Sequence, residues 1–186
     1  RPDVAQVAVQ RSADGLYLTA RLNLQPSRAV EDALLKGVPL YFVWRADVMR
    51  DRWYWTDKRV ASAVRTWRLV YQPLTGRWRL SMANEAGNSG GGAGLQYALH
   101  QNFNSLDEAL TSLSRVVRWK LVDASRLDVD SDERVEWSFQ LDLGLLPRPF
   151  QFGVANQSEW LIEVARILLV PRQIEPAAEH GDAPAR

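Results

Sequence analysis

The sequence predicts a mainly β protein, an antiparallel sandwich of two sheets that is immunoglobulin-like in outline, with two short helices at its edges or ends. Segments with an apolar residue at every second position recur along the chain, and turn residues such as Asp-Gly and Pro-x-x-Gly separate them. Two short segments instead have the three-to-four-residue spacing of a helix. About nine closely spaced strands of this kind suggest two packed sheets.

The chain begins with a predicted hairpin followed by a helix. Residues 4–10 and 16–24 alternate between apolar and polar side chains, and residues 12–15 between them have the composition of a hairpin turn. Ser27 opens a short amphipathic helix. Gly37 suits the end of this helix because glycine tolerates left-handed backbone angles.

Four further strands are predicted before the middle of the chain. They span residues 40–48, 53–64, 66–71 and 77–83. Residues 73–76, Pro-Leu-Thr-Gly, predict a turn that joins the last two strands as a hairpin.

The second half continues this pattern after a glycine-rich segment, residues 87–94, which predicts a flexible surface loop. Ser105 and Glu108 form a capping box, so a helix is predicted over residues 106–115. The predicted strands of this half are residues 95–103, 117–123 and 134–143.

The last apolar segment, residues 160–170, fits a helix or a strand. Its charged residues have helical spacing, whereas Trp160, Ile162 and Val164 alternate as in a strand. Beyond it the periodicity is lost and Pro, Ala, Glu and Asp dominate. The predicted division is one globular domain over residues 1–170 and a disordered tail over residues 171–186.

Composition excludes several classes of function. The 186 residues include no cysteine, which rules out disulfides, thiolate metal sites and a cysteine nucleophile. A net charge of +1 gives no overall attraction to nucleic acid, and no apolar run has the length of a membrane span. We therefore expect no nucleic-acid partner and no transmembrane segment. The segment Arg1-Pro2-Asp3 suits the start of a mature chain after removal of a signal peptide.

The sequence contains no recognisable catalytic or metal-binding pattern. His180 lies in the predicted tail, so a hydrolase would have to use His100, and Asp107 is the acidic residue near it in sequence. The acidic segment 128–133 lacks the glycine and the glutamate of an EF-hand loop. Residues 87–94 lack the Gly-Lys-Ser/Thr of a phosphate-binding loop. We predict no catalytic residue, no metal and no cofactor, and whether the protein is an enzyme stays open.

The segment from residue 41 to residue 79 is rich in both aromatic and basic side chains. Three interpretations stay open. The aromatic residues fill the core, or some form a protein-docking surface, since Trp, Tyr and Arg carry most interface energy. In the third interpretation they stack on sugars or bases, or line an apolar ligand pocket. The candidate docking residues are Trp53, Trp55, Arg52, Arg45 and Arg65.

Several segments are similar to one known family. They are Pro39–Trp44, Arg65–Leu69 with Tyr71, Ser105–Leu110, and Leu143–Phe150 followed by Ser158–Trp160. With them the chain resembles, over most of residues 4–170, a proteobacterial family catalogued as domain of unknown function 4390. The resemblance implies an exported, periplasmic protein of the bacterial envelope, often encoded near a membrane sensor histidine kinase. It implies a strand after Trp160, and no activity, ligand or functional residue.

The function expected from these observations is a non-enzymatic envelope module that binds another protein, such as a membrane sensor kinase. An alternative is a small-molecule or lipid-binding β-sandwich whose pocket is walled by aromatic and aliphatic side chains. A third hypothesis is a hydrolase that uses His100.

Overall fold

The computed structural model describes residues 2–52, 56–86, 96–148 and 158–176. Within these ranges the chain forms two antiparallel sheets and two α-helices, which confirms the predicted mainly β, two-sheet architecture. No helix in these ranges is long and apolar enough to cross a membrane.

The two sheets differ in size. The strands are β1 Asp3–Ser12, β2 Gly15–Asn23, β3 Leu40–Arg50, β4 Lys58–Gln72, β5 Arg77–Ala86, β6 Ala98–Phe103, β7 Arg115–Asp123, β8 Glu133–Leu141 and β9 Glu163–Leu169. The small sheet has the strand order β1-β2-β7, and the large sheet has the order β6-β5-β4-β3-β8-β9. The helices are α1 Arg28–Leu35 and α2 Leu106–Leu113.

The predicted boundary between residues 53–64 and 66–71 is wrong, because residues 58–72 form the single strand β4. This strand lies inside the large sheet and is buried on both faces around Ser62, Thr66 and Trp67. Burial on both faces removes the alternation that marks a half-buried strand. The ambiguous last segment contains the strand β9, as the family resemblance implied.

The core lies between the sheets and is rich in aromatic rings. The ring of Trp44 is 4.9 Å from that of Phe139 and 5.7 Å from that of Trp137, measured between centroids. Leu16 and Leu18 of the small sheet belong to the same buried cluster. The indole N–H of Trp44 donates to the carbonyl of Leu113 at 2.9 Å, which ties the large sheet to the end of α2.

Both helices have the serine caps that the sequence predicts. The hydroxyl of Ser27 accepts from the Val30 N–H at 3.3 Å, and that of Ser105 accepts from the Glu108 N–H at 3.2 Å. Each helix buries one apolar face in the common core. The apolar spacing of the sequence therefore identified both the helices and the sides that they bury.

The start of the predicted tail lies against β1. The Glu175 N–H donates to the Arg11 carbonyl at 2.7 Å, and a guanidinium nitrogen of Arg11 donates to the Pro171 carbonyl at 3.5 Å. The rest of the tail, residues 177–186, and the predicted loop at residues 87–94 lie outside the described residues.

Candidate functional site

The predicted docking residues Arg45 and Arg65 lie on opposite faces of the large sheet. Arg45 pairs with Val64 across β3 and β4, whereas Arg65 pairs with Trp44. Paired residues of antiparallel strands share a face, and consecutive residues alternate between faces. We call the face that carries Trp44, toward the small sheet, the inner face, and the opposite one the outer face.

Arg65 lies on the inner face and links the two sheets. Its Nε donates to Oδ1 of Asn84 at 2.8 Å, and its guanidinium carbon is 5.3 Å from the centroid of the Trp119 ring in β7. Burial lowers the pKa of Arg65. This arrangement gives Arg65 a role in packing the sandwich.

Trp53 and Trp55 lie outside the described residues. The residues that flank them are joined by ion pairs and a hydrogen bond. Arg134 forms ion pairs with Asp51 and, at 2.9 Å, with Asp57. Arg52 donates from Nε to the Thr56 carbonyl at 2.7 Å. The chain is therefore fixed on both sides of the Trp-Tyr-Trp segment.

Six further aromatic residues between positions 41 and 79 lie in the described part of the chain, and they are buried or half-buried. Tyr41, Phe42, Trp44, Trp67 and Trp78 are buried, and Tyr71 is half-buried against Trp78. Phe42, Trp44, Trp67 and Trp78 belong to the core cluster and Tyr71 packs against it, so for these five the core-filling interpretation is correct. Tyr41 is buried on the opposite face of the large sheet.

A row of polar side chains crosses the outer face of the large sheet. Arg68 of β4 pairs with Tyr41 of β3 on one side and with Ser81 of β5 on the other. On β6 a bulge places two residues, Leu99 and His100, opposite Ser81. Leu99 has a φ of 51°, which is uncommon for a side chain of this size and marks the distortion of the bulge.

His100 bonds to Ser81, not to Asp107. The Ser81 Oγ and the His100 Nδ1 are 2.6 Å apart. Ser81 is only 1% exposed, whereas His100 is exposed. The serine hydroxyl therefore holds the orientation of the imidazole ring from beneath it.

Tyr97, just before β6, covers Arg68. The guanidinium carbon is 4.3 Å from the centroid of the Tyr97 ring, and the rings of Tyr41 and Tyr97 are 6.3 Å apart. Burial raises the pKa of Tyr97 to about 12, so its hydroxyl keeps its proton at neutral pH. We call Tyr41, Arg68, Ser81, Tyr97 and His100 the polar row.

The strand β9 forms one end of the large sheet and is open on one side. The Val170 N–H donates to the Glu133 carbonyl, and the Leu141 N–H donates to the Ile162 carbonyl, both at 2.9 Å. In an antiparallel ladder with this register, the backbone N–H and C=O groups of the even-numbered residues of β9 point toward β8. Those of the odd-numbered residues point outward. Within the part of the chain that the structure describes, no strand pairs with that open side.

Exposed apolar side chains follow the open edge. Ile167 is 65% exposed and Leu169 is 80% exposed. A groove of about 580 Å³ runs beside the start of β9, between Pro2 and residues 163–166. Arg166 donates to the Ala165 carbonyl at 2.8 Å, which covers one of the outward backbone groups. No local pattern of residues indicates this site, because an edge is a property of the whole sheet.

The acidic segment 128–133 forms a turn. The Asp128 carboxylate accepts from the Asp130 N–H at 2.9 Å and from the Ser131 hydroxyl at 2.8 Å, and these bonds lower the pKa of Asp128. Among the described residues, no group of three or more histidine, aspartate or glutamate side chains is arranged to hold a metal ion.

Comparison with known proteins gives one clear assignment. No curated protein and no solved structure matches the chain. The family model described as Domain of unknown function (DUF4390) matches residues 1–168. This match covers most of the 186 residues, including every strand of both sheets up to β9. The chain therefore belongs to the DUF4390 family.

Proposed function

We propose that the protein is a non-enzymatic module that binds another protein by adding an extended segment of it to β9. The observation that carries this proposal is the open edge of β9, where the backbone groups of Glu163, Ala165, Ile167 and Leu169 point away from β8. An edge of unpaired N–H and C=O groups beside exposed apolar side chains is a template for pairing with a further strand.

The chemistry of the edge defines the partner segment. Residues at alternate positions of that segment would have to be apolar to cover Ile167 and Leu169 on the outer face. On the other face, an acidic residue opposite Arg166 would take its guanidinium away from the Ala165 carbonyl. The partner is thus an extended strand with alternating apolar residues and one carboxylate between them.

A second copy of the chain fits this edge less well. Opposite residues of two antiparallel strands share a face, so odd residues of β9 would pair with odd residues of the second copy. Glu163 and Arg166 lie on opposite faces and therefore cannot pair with each other across such an interface. Self-pairing leaves Arg166 without a carboxylate, which favours a different protein as the partner.

The predicted docking residues near the β3–β4 connection are a second contact surface in this proposal. It consists of Arg52, Trp53 and Trp55. It excludes Arg45, which lies five positions before the end of β3, and Arg65, which faces the small sheet. The ties between Asp51, Arg134 and Asp57 support it, because a fixed base lowers the entropy cost of binding.

The proposed location is the bacterial envelope, and the proposed partners include a membrane sensor kinase. Support for both comes from the sequence segments that resemble the family. A hydrolase centred on His100 has weaker support, since the Ser81 hydroxyl bound to His100 is buried. A lipid-binding sandwich also has weaker support, because Phe42, Trp44, Trp67 and Trp78 are part of the packed core.

Photo-crosslinking in cells tests the proposed edge. A photoreactive phenylalanine at Leu169 of the full-length protein would capture the partner, which mass spectrometry identifies. Ile167→Pro removes one outward N–H without removing a bond to β8 and should abolish capture. Ile167→Val keeps this N–H and should preserve capture. Folding of both variants is checked by circular dichroism.

Four results would contradict parts of the proposal. Equal capture by both variants would show that the backbone edge is not used. A product with the mass of a dimer would replace the partner by a second copy. Loss of capture in Trp53→Ala or Trp55→Ala, with no effect of Ile167→Pro, would move the binding site to the β3–β4 connection. Recovery of the full-length protein only from the cytosol would contradict export. Arg52→Ala is avoided, because Arg52 also holds the Thr56 carbonyl.

A further inference from the structure

The geometry points to a phosphate-binding site on the outer face of the large sheet, at Arg68, Arg79 and His100. This site is separate from the β9 edge and does not depend on the proposed protein binding. It is built from the polar row, to which β5 adds Arg79. The residues come from three adjacent strands, β4, β5 and β6.

The strand register brings these groups together. Arg68 lies directly opposite Ser81, and directly opposite residues have Cβ atoms about 5 Å apart. Arg79 is on the same face of β5, two residues before Ser81. The bulge in β6 turns His100 onto Ser81 at 2.6 Å. Two guanidinium groups and one imidazole thus border the same patch.

The patch has hydrogen-bond donors in excess of acceptors. Arg68 is half-buried, and in the described parts of the chain no carboxylate forms an ion pair with it. The Nε of Arg79 is buried and has no hydrogen-bond partner. A buried donor without an acceptor is costly, so these two arginines favour a bound acceptor group.

The other neighbours on this face do not neutralise the two arginines. The side chains diagonal to Arg68 include Val43 and Ala83, which are apolar. Asp142 lies beyond Tyr41, on the side away from Arg68, and its Oδ1 accepts from the Gly144 N–H at 3.0 Å. The charge of Asp142 does act on the Tyr97 hydroxyl, and Glu85 lies on the same face of β5, four residues beyond Ser81. Among the described residues no carboxylate forms an ion pair with Arg68 or Arg79, so both guanidinium groups keep their charge unpaired.

The donor set matches a phosphate group. A guanidinium group presents a planar fork of N–H donors to an oxyanion. The Nδ1 of His100 is taken up by the Ser81 hydroxyl, so Nε2 is the ring nitrogen that remains to face a ligand oxygen. Two guanidinium groups together match a dianion better than a singly charged carboxylate.

A titration followed by nuclear magnetic resonance tests this site. Inorganic phosphate is added to the full chain at constant ionic strength, and the imidazole C–H signals of His100 and His180 are observed. We expect a saturable shift of the His100 signal, with a dissociation constant on the order of 1 mM. His180 serves as the internal control and should not shift with it. Arg68→Gln should weaken binding by at least roughly tenfold, because it removes a charged donor.

Arg45→Gln is the matched control, because Arg45 lies on the same face but is paired with Asp47. It should leave the phosphate affinity unchanged. Arg79→Gln is the second variant, to be used if Arg68→Gln does not fold. Equal affinity for inorganic phosphate and glycerol phosphate would assign the free ion, whereas tighter binding of glycerol phosphate would assign a phosphate monoester such as a lipid headgroup. No saturation up to roughly 50 mM, or acetate binding as tightly as phosphate, would overturn the inference.

Discussion

Glu133 shows how a charged residue is accommodated in the interior of this sandwich. Its Oε2 accepts from Nη2 and Nε of Arg50 at 3.0 and 3.2 Å, and its Oε1 accepts from the Asp128 N–H at 3.3 Å. Arg50 also donates to the Arg126 carbonyl at 2.9 Å. Burial of an ion is tolerated only when such bonds replace those to water.

Removal of this carboxylate should strongly destabilise the protein. Glu133→Ala leaves the guanidinium of Arg50 in a largely buried position without its counter-charge, so the free energy of unfolding should fall by about 3–5 kcal/mol. Urea denaturation followed by circular dichroism measures this loss. Arg45→Ala is the control, since Arg45 is 45% exposed and its pair with Asp47 should contribute less than about 1 kcal/mol. Similar losses in the two variants would contradict the interpretation.

The serine caps of the two helices differ in the number of elements that they connect. Both serines accept a hydrogen bond from the backbone N–H three residues later. The hydroxyl of Ser27 also donates to the Glu159 carbonyl at 3.0 Å, and so ties α1 to the short turn before β9. The same residue type therefore stabilises one helix locally and joins two distant elements in the other case.

This difference predicts unequal effects of two identical substitutions. Ser105→Ala should lower the free energy of unfolding by about 1 kcal/mol, the usual contribution of a helix N-cap. Ser27→Ala should cost about 1 kcal/mol more, because a second hydrogen bond is also lost. Ser27→Asp, which can accept from the helix but cannot donate to Glu159, should lie between Ser27→Ala and the unmodified protein. Urea denaturation of the three variants measures these losses. Equal losses of the free energy of unfolding in Ser27→Ala and Ser105→Ala would refute this interpretation.

The whole molecule is held together by contacts that join its parts into one core. Buried residues of both sheets and both helices form one hydrophobic cluster. The indole of Trp44 bonds to the end of α2, and Arg65 packs over Trp119 of the small sheet. The small sheet has three strands and its buried side chains belong to this common cluster, so neither sheet should be stable when the other unfolds.

We therefore expect a single cooperative unfolding transition. Tryptophan fluorescence and far-ultraviolet circular dichroism should give the same urea midpoint. Trp44→Phe keeps an aromatic ring but loses the bond to the Leu113 carbonyl, so it should lower this midpoint without splitting the transition. Two separate transitions, in either protein, would show that the sheets unfold independently.

The sequence by itself determined those features that depend on a residue and its neighbours in the chain. The alternation over residues 16–24 identified β2, and the serine caps identified both helices. The turn predicted at residues 73–76 is the β4–β5 connection, where Gly76 has a φ of 68°. These predictions succeeded because alternation, helix capping and turn preference each depend on residues that are close together in the sequence.

The tertiary structure alone decided the continuity of β4, the open edge of β9 and the polar row. Burial on both faces hid the alternation of β4, and nothing within residues 163–169 indicates that they end a sheet. Ser81 and His100 are 19 residues apart in sequence, and only the β6 bulge brings them within a hydrogen bond. Strand order and register set these contacts, and they depend on the packing of the whole chain, so no local pattern could reveal them.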